Sequence, residues 1–171
     1  MIITRPTAAE FAQWYAGYIA EVPGDDALAV LSASRTRTAA LLAGIPAPRA
    51  GYRYAPGKWT VREVVGHITD TERIFSYRLL RIARGDMTPL ASFDENLYVP
   101  EGRFDERSLA ALAAELGTVR DSTLALLGGL DPARLERCGI ASEKSVSARA
   151  LAWIIAGHEL HHLRVLGEKY L

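Results

Sequence analysis

A chain of 171 residues, 49% of them hydrophobic, is long enough for one domain with a full core and short for two, so the predicted domain is 1–171. Its 20 basic and 20 acidic side chains cancel, which argues against a nucleic-acid or anionic-membrane partner, and no apolar run reaches bilayer-spanning length. Cys138 is the only cysteine, which excludes an internal disulfide and a thiolate metal cluster; with no leader pattern over residues 1–20, the expected setting is soluble and cytoplasmic.

Thr7-Ala8-Ala9-Glu10 has capping-box spacing, and Phe11, Trp14, Tyr15, Tyr18 and Ile19 recur at helical intervals, predicting a short aromatic helix over residues 8–20. Val22-Pro23-Gly24 ends it. Asp25-Asp26 then caps a longer helix carrying Ala27, Val30, Leu31, Ser34, Thr38, Leu41 and Leu42 to Gly44. Three prolines and two glycines make residues 45–58 a loop. Thr60-Val61-Arg62-Glu63 is a second capping box, with Trp59 and Val64 spaced as a hydrophobic staple, and it opens a long helix to about Arg84 that carries His67.

Residues 85–105 hold Pro89, Pro100 and Gly102 among isolated aromatics without a sustained period. A loop of that length inside a domain is functional or packed as a lid, and Phe93, Leu97, Tyr98 and Phe104 favour packing. Leu109, Leu112, Ala113, Leu116, Val119, Thr123, Leu126 and Leu127 predict a helix over residues 106–128 that stops at Gly128-Gly129. Asp131-Pro132 begins a short turn to Arg137, residues 138–146 read as irregular, and Ser147 caps a last helix that runs to Leu171. No strand pattern emerges. Four long amphipathic helices with long crossovers predict an all-α bundle, an architecture whose metal and cofactor sites lie between facing helices.

The last helix contains Gly157-His158-Glu159-Leu160-His161-His162, three of the four histidines. His158 and His162 stand roughly 40° apart around the axis and about 6 Å apart along it. They share a stripe with Leu151, Ile154, Ile155, Val165 and Leu166, so they face a core, as polar core members or as ligands of one ion. A metal held by two imidazoles needs a third donor, and a catalytic zinc-type site keeps an open position besides. His67 is the remaining histidine, on a partly apolar face with Val64, Thr71 and Ile74. The reading is a divalent cation on His67, His158 and His162, with water in the open position; imidazoles suit zinc, nickel, copper or iron.

His161 is given a supporting role, with ligation at i+3 from His158 as the alternative. Asp70 reads as a solvated residue or a partner of Arg73, with a carboxylate ligand as the alternative. Glu72 and Arg73 read as half of a structural polar network. His158-Glu159-Leu160-His161-His162 also fits the H-E-x-x-H pattern of zinc proteases, with Glu159 as general base. The residues after His162 offer only Glu168, which points away from the histidine face, so that reading is set aside.

Arg53-Tyr54-Ala55-Pro56-Gly57-Lys58-Trp59, Gly66-His67-Ile68-Thr69-Asp70-Thr71-Glu72-Arg73, Tyr77-Arg78 and Gly157 to His162 together resemble the DinB-like superfamily, also called YfiT-like metal-dependent hydrolases. The resemblance covers nearly the whole chain. It implies an up-down-down-up four-helix bundle, a metal on three histidines that carry over to His67, His158 and His162, and frequent homodimers. Zinc or nickel is the expected ion, with iron or manganese as alternatives. Relatives include transferases that use low-molecular-weight thiols and a thiol-dependent isomerase.

The expected function is therefore a metal-dependent hydrolase or thiol-dependent transferase on a small molecule, in which the cation activates a water or a thiol. Tyr77, Arg78, Arg81 and the loop 86–104 are candidates for the pocket wall. The alternative is a non-catalytic metal-binding or stress-response module, which a closed coordination sphere without a pocket would mark. A second apolar stripe on the last helix, Trp153, Ala156, Leu160, Leu163 and Leu171, predicts a homodimer contact.

Overall fold

The computed structural model describes residues 1–171. The chain runs α1 (Ala16–Glu21), α2 (Ala27–Ala43), α3 (Val61–Ala83), α4 (Glu95–Glu101), α5 (Leu109–Gly128), α6 (Pro132–Leu135), β1 (Cys138–Ala141), β2 (Lys144–Ser147) and α7 (Ala148–Lys169). Side-chain caps set where the four long helices start. Asp26 accepts from the amide of Leu28 at 3.0 Å, Thr60 from Glu63 at 3.1 Å, Ser108 from Ala111 at 3.1 Å and Ser147 from Ala150 at 2.9 Å. Each bond satisfies a first-turn N–H that has no partner within its helix.

α3 packs on α7 and α5, and α2 packs on α5 and α7. Contacts along each pair give the directions. His67 meets His162 while Trp59 accepts from Tyr170, so α3 and α7 are antiparallel. Arg73 meets Glu115, and Tyr77 and Leu80 share a groove with Ser122 and Leu126, so α3 and α5 are parallel. Leu31 accepts from Arg120, while Leu42 shares a wall with Ala113, so α2 opposes α5. The order is up-down-down-up. Two parallel neighbours, α3 and α5, require a connection that travels the length of the bundle, which is why residues 84–108 are long.

The core is two apolar clusters with a polar layer between them. One gathers Leu31, Leu79, Ile82, Leu127 and Trp153, and the other Leu42, Val65, Ile68, Leu112, Leu116 and Leu166. Every long helix changes character between them: α2 at Ser34 and Thr38, α3 at His67 and Glu72, α5 at Arg120, α7 at His158 and Glu159, all buried. No helix is long and apolar enough to cross a membrane.

The structure corrects the sequence reading in four places. The aromatic segment 8–20 is two 3-10 turns, Ala8–Glu10 and Gln13–Tyr15, before α1, which has only six residues. The Thr7 capping box is present, but Glu10 also accepts from Ser147 at 2.8 Å and Arg149 at 2.6 Å, so contacts with the α7 end shape this segment. The loop 85–105 contains α4, capped by Asp94 and too short to display a period. Residues 138–146 belong largely to an antiparallel hairpin in which Ala141 pairs with Lys144. Its two-residue turn, Ser142-Glu143, has φ of 52° and 64°, a conformation usually signalled by Asn-Gly and here carried by residues that do not announce it.

The fourth correction concerns the second stripe of α7. Trp153 is fully buried and donates to the Ile3 carbonyl at 3.0 Å, and Ala156 and Leu163 are buried as well. A Cβ on Gly157 would lie 2.0 Å from the Tyr18 carbonyl oxygen, so glycine there lets the α1 backbone sit directly on α7. The N-terminal segment covers the Trp153 end of the stripe and the second apolar cluster takes in Leu163, which leaves Leu171 as its exposed member.

Candidate metal centre

α3 and α7 run antiparallel within the polar layer, and that crossing brings His67 to the pair on α7. His67 Nε2 lies 3.0 Å from His158 Nε2, which lies 3.1 Å from His162 Nε2. A ligand atom from each ring falls within 4.8 Å of the others. Donors bound at about 2.0–2.1 Å to one ion with tetrahedral to octahedral angles sit about 2.9–3.4 Å apart, so the spacing fits a shared cation.

Burial lowers the His67 pKa to about 4 and, together with the neighbouring histidines, that of His162 to about 3. His158, deepest of the three, is held well below its ordinary value by burial first and then by the other histidines. All three rings are neutral near pH 7, the state that offers a lone pair. A neutral imidazole has one N–H, so three Nε2 atoms gathered this closely cannot all be served by each other. A cation meets all three lone pairs at once.

Aromatic rings wall the cluster. Trp59 lies 4.7 Å from His67 between ring centroids, Tyr18 presents its edge to His158 at 5.4 Å and Phe75 to the same ring at 6.2 Å. On the remaining side a cleft of about 340 Å³ reaches His162, walled by Tyr54, Lys58, Trp59, Asn96 and Tyr170. No Asp or Glu lines it.

The neighbouring acids are engaged elsewhere. Asp70 pairs with Arg73 at 3.1 Å, and burial raises its pKa despite that partner. Glu159 turns away from the histidines: Oε1 accepts from Thr38 at 2.8 Å and Oε2 from Arg120 at 3.0 Å. Arg120 also donates to both Glu72 oxygens at 2.8 Å. Glu72 thus belongs to a buried network, while Arg73 works at the surface with Asp70 and Glu115. His161 contacts Glu21 at 3.1 Å and leaves its ring against Tyr18, outside the cluster.

Comparison with known proteins places this architecture. The DinB superfamily model matches residues 31–166. The chain belongs to the DinB superfamily. Three solved structures share the DinB fold seen here. YfiT from Bacillus subtilis, described as a probable metal-dependent hydrolase with an unusual four-helix bundle topology, is 17% identical with a TM-score of 0.71 over 95% of this chain and 89% of that one. A mycothiol-dependent maleylpyruvate isomerase is 12% identical with a TM-score of 0.67, over 88% of this chain and 66% of that one. The DinB-like protein YjoA from Bacillus subtilis is 24% identical with a TM-score of 0.58, over 82% and 86%. No curated protein matches the chain.

Within this DinB domain the sequence reading missed Trp59 as a wall, Tyr18 and Asn96 as neighbours of the site, and Arg120. The last carried a signal: it occupies the row Leu112, Leu116, Arg120, Thr123, Leu127, where a charged side chain on an apolar stripe marks a buried polar partner. Tyr77, Arg78 and Arg81 do line a cavity with the crossover, but a separate one from the histidine cleft.

Proposed function

We propose that His67, His158 and His162 hold one divalent cation and that the protein is a metal-dependent enzyme on a small molecule, most simply a transferase that uses a low-molecular-weight thiol. The observation that carries the reading is the approach of the three Nε2 atoms to 3.0 and 3.1 Å beside an open cleft. Bound there, a divalent cation supplies Lewis acidity and lowers the pKa of a water or thiol in its open position. Zinc or nickel suits the all-imidazole donor set; iron or manganese is the alternative.

The residues around the cleft favour a thiol over water. Neither an Asp nor a Glu lines it, and Glu159 is committed to Arg120 and Thr38, so the base its wall offers beyond the three ligands is the His161 imidazole, held by Glu21 at 3.1 Å. A thiol ionises at about 8.5 and bulk water at about 15.7, so the thiol needs far less help. The Lys58 ammonium on the cleft wall favours an anion, and Trp59, Tyr54 and Val165 provide an apolar face for an electrophile's carbon skeleton. The likeness to a mycothiol-dependent isomerase is in keeping with this, at the level of fold. A non-catalytic module is disfavoured because three ligands and an accessible cleft do not make a closed coordination sphere.

Assembly and setting belong to the same proposal. A homodimer has a candidate face where α3 meets α5, where Tyr77 is 50% and Leu80 37% exposed. Light scattering that gives a monomer at micromolar concentration contradicts it. The exposed free thiol of Cys138 fits a reducing, cytoplasmic compartment.

The test is a screen of metal-loaded protein against small electrophiles, with and without low-molecular-weight thiols, using His67→Ala as control. Turnover that needs both metal and thiol is expected. Turnover without thiol makes the protein a hydrolase, and an active His67→Ala protein overturns the assignment altogether.

A further inference from the structure

Two arginines are almost completely buried, and they are treated in opposite ways. Arg120, 1% exposed, lies between the carboxylates of Glu72 and Glu159. Arg78, 2% exposed, has neutral partners only: Nη2 donates to the Ala91 carbonyl at 2.6 Å and to Ser142 Oγ at 3.1 Å, and the Tyr15 hydroxyl also lies against the guanidinium. The rings of Phe75 and Phe93 lie 5.6 and 5.8 Å from its guanidinium carbon. Aromatic faces and carbonyl oxygens offset part of the cost of burying a cation, but they leave the charge uncompensated.

Arg78 forms part of the wall of a cavity of about 330 Å³ beneath the crossover. Arg81, Thr88, Ser92, Phe93 and Tyr98 also line it, and no acidic residue does. Arg81 is already paired with Asp86, so Arg78 is the unpaired charge. A buried guanidinium with no carboxylate partner, on the wall of a cavity that mixes hydroxyls with aromatic rings, is built for a planar two-oxygen anion on an apolar body.

We propose that the cavity beneath the crossover binds a small organic carboxylate, whose oxygens meet the uncompensated Arg78 guanidinium while its carbon skeleton lies against Phe93 and Tyr98. The site is distinct from the histidine cleft and does not depend on a cation there. Arg78 also joins Ala91 of the crossover to Ser142 of the hairpin turn, so an occupied site fastens the crossover to the rest of the bundle.

Benzoate and inorganic phosphate, titrated into the whole protein and followed by backbone amide shifts, test this. Benzoate is expected to saturate and to move the amides of Ala91, Ser92 and Phe93. Arg78→Met should weaken it by at least about 10-fold, the scale of a lost charged hydrogen bond. Ser142→Ala, which removes one Arg78 contact but keeps the charge, and His67→Ala should bind within about twofold of wild type, well under the roughly 1.4 kcal/mol of a tenfold change. Should Arg78→Met fail to fold, Ser92→Asp, which puts a carboxylate on the cavity wall, is expected to abolish benzoate binding. No shifts at about 50 mM benzoate, far above millimolar affinity, saturation by phosphate alone, unchanged binding in Arg78→Met or Ser92→Asp, or loss in His67→Ala would each overturn the proposal.

Discussion

The Glu159 carboxylate meets the Arg120 guanidinium at 3.0 Å inside the bundle, one residue along the chain from His158 and so roughly 100° around α7 from it. That pairing takes Glu159 out of the chemistry the H-E-x-x-H pattern suggests and gives it a structural one. Arg120 serves two carboxylates, and Thr38 and Ser34 complete the set. Removing the cation with Arg120→Met leaves two buried carboxylates facing each other, an expected loss of about 3–5 kcal/mol in denaturant unfolding. Glu159→Gln keeps the shape and one hydrogen bond, so it should cost less and leave metal stoichiometry unchanged; loss of metal in that variant would make Glu159 part of the site.

Glu10 gives the acid limb of stability a defined contribution. Burial alone would raise its pKa, but the bonds from Arg149, Thr7 and Ser147 outweigh burial and bring it to about 2, below its ordinary 4.5. A carboxyl depressed in the folded state adds stability above the unfolded value and loses it as pH falls through the folded one. Glu10→Gln should therefore cost about 1 kcal/mol near pH 7, held to that scale by solvent screening. The difference from wild type should shrink as pH falls from 4.5 towards about 2. An unchanged gap across that window in urea melts would show the pairing to be inert.

At the hairpin turn, Ser142 and Glu143 both occupy the left-handed region. Replacing them with Asn-Gly, which suits a two-residue turn of this kind, should stabilise the protein by about 1–2 kcal/mol. Ser142 also accepts from Arg78, so Glu143→Gly alone separates turn relief from loss of that contact. A fall in melting temperature for Glu143→Gly would contradict the turn argument.

Gly157→Ala tests the close seat of α1. The added methyl meets the Tyr18 carbonyl at 2.0 Å, a backbone atom that cannot rotate away, so α1 must lift. Destabilisation of about 1–3 kcal/mol or more is expected, with faster amide exchange through residues 16–21. A variant of wild-type stability would mean that α1 moves at no cost.

The long helices were legible because their cues are local: capping residues at Asp26, Thr60 and Ser147, and periods sustained over several turns, as in α5, read from residue 106 and started by Ser108 at Leu109. The histidine cluster was legible for a different reason. His158 and His162 share a helix face whatever the fold, and His67 was the one further histidine on a face that turns inward. What escaped depends on contacts between distant segments. The short first helix is set by Gly157 and Arg149, the hairpin adopts a turn its residues do not advertise, and α4 is too brief to carry a period. The stripe through Trp153 and Leu163 misled because periodicity reports that a face is covered, not by what; the chain's own N-terminus covers Trp153 and the second apolar cluster takes in Leu163.

The central claim is that the three imidazoles hold one ion, and metal content tests it most directly. Untagged protein, loaded with zinc or nickel, dialysed and assayed by elemental analysis, should carry about one ion per chain, and His67→Ala and His158→Ala should each lose it while retaining the helical circular dichroism of the parent. A wild-type stoichiometry near zero, or one that His67→Ala leaves unchanged, would contradict the account.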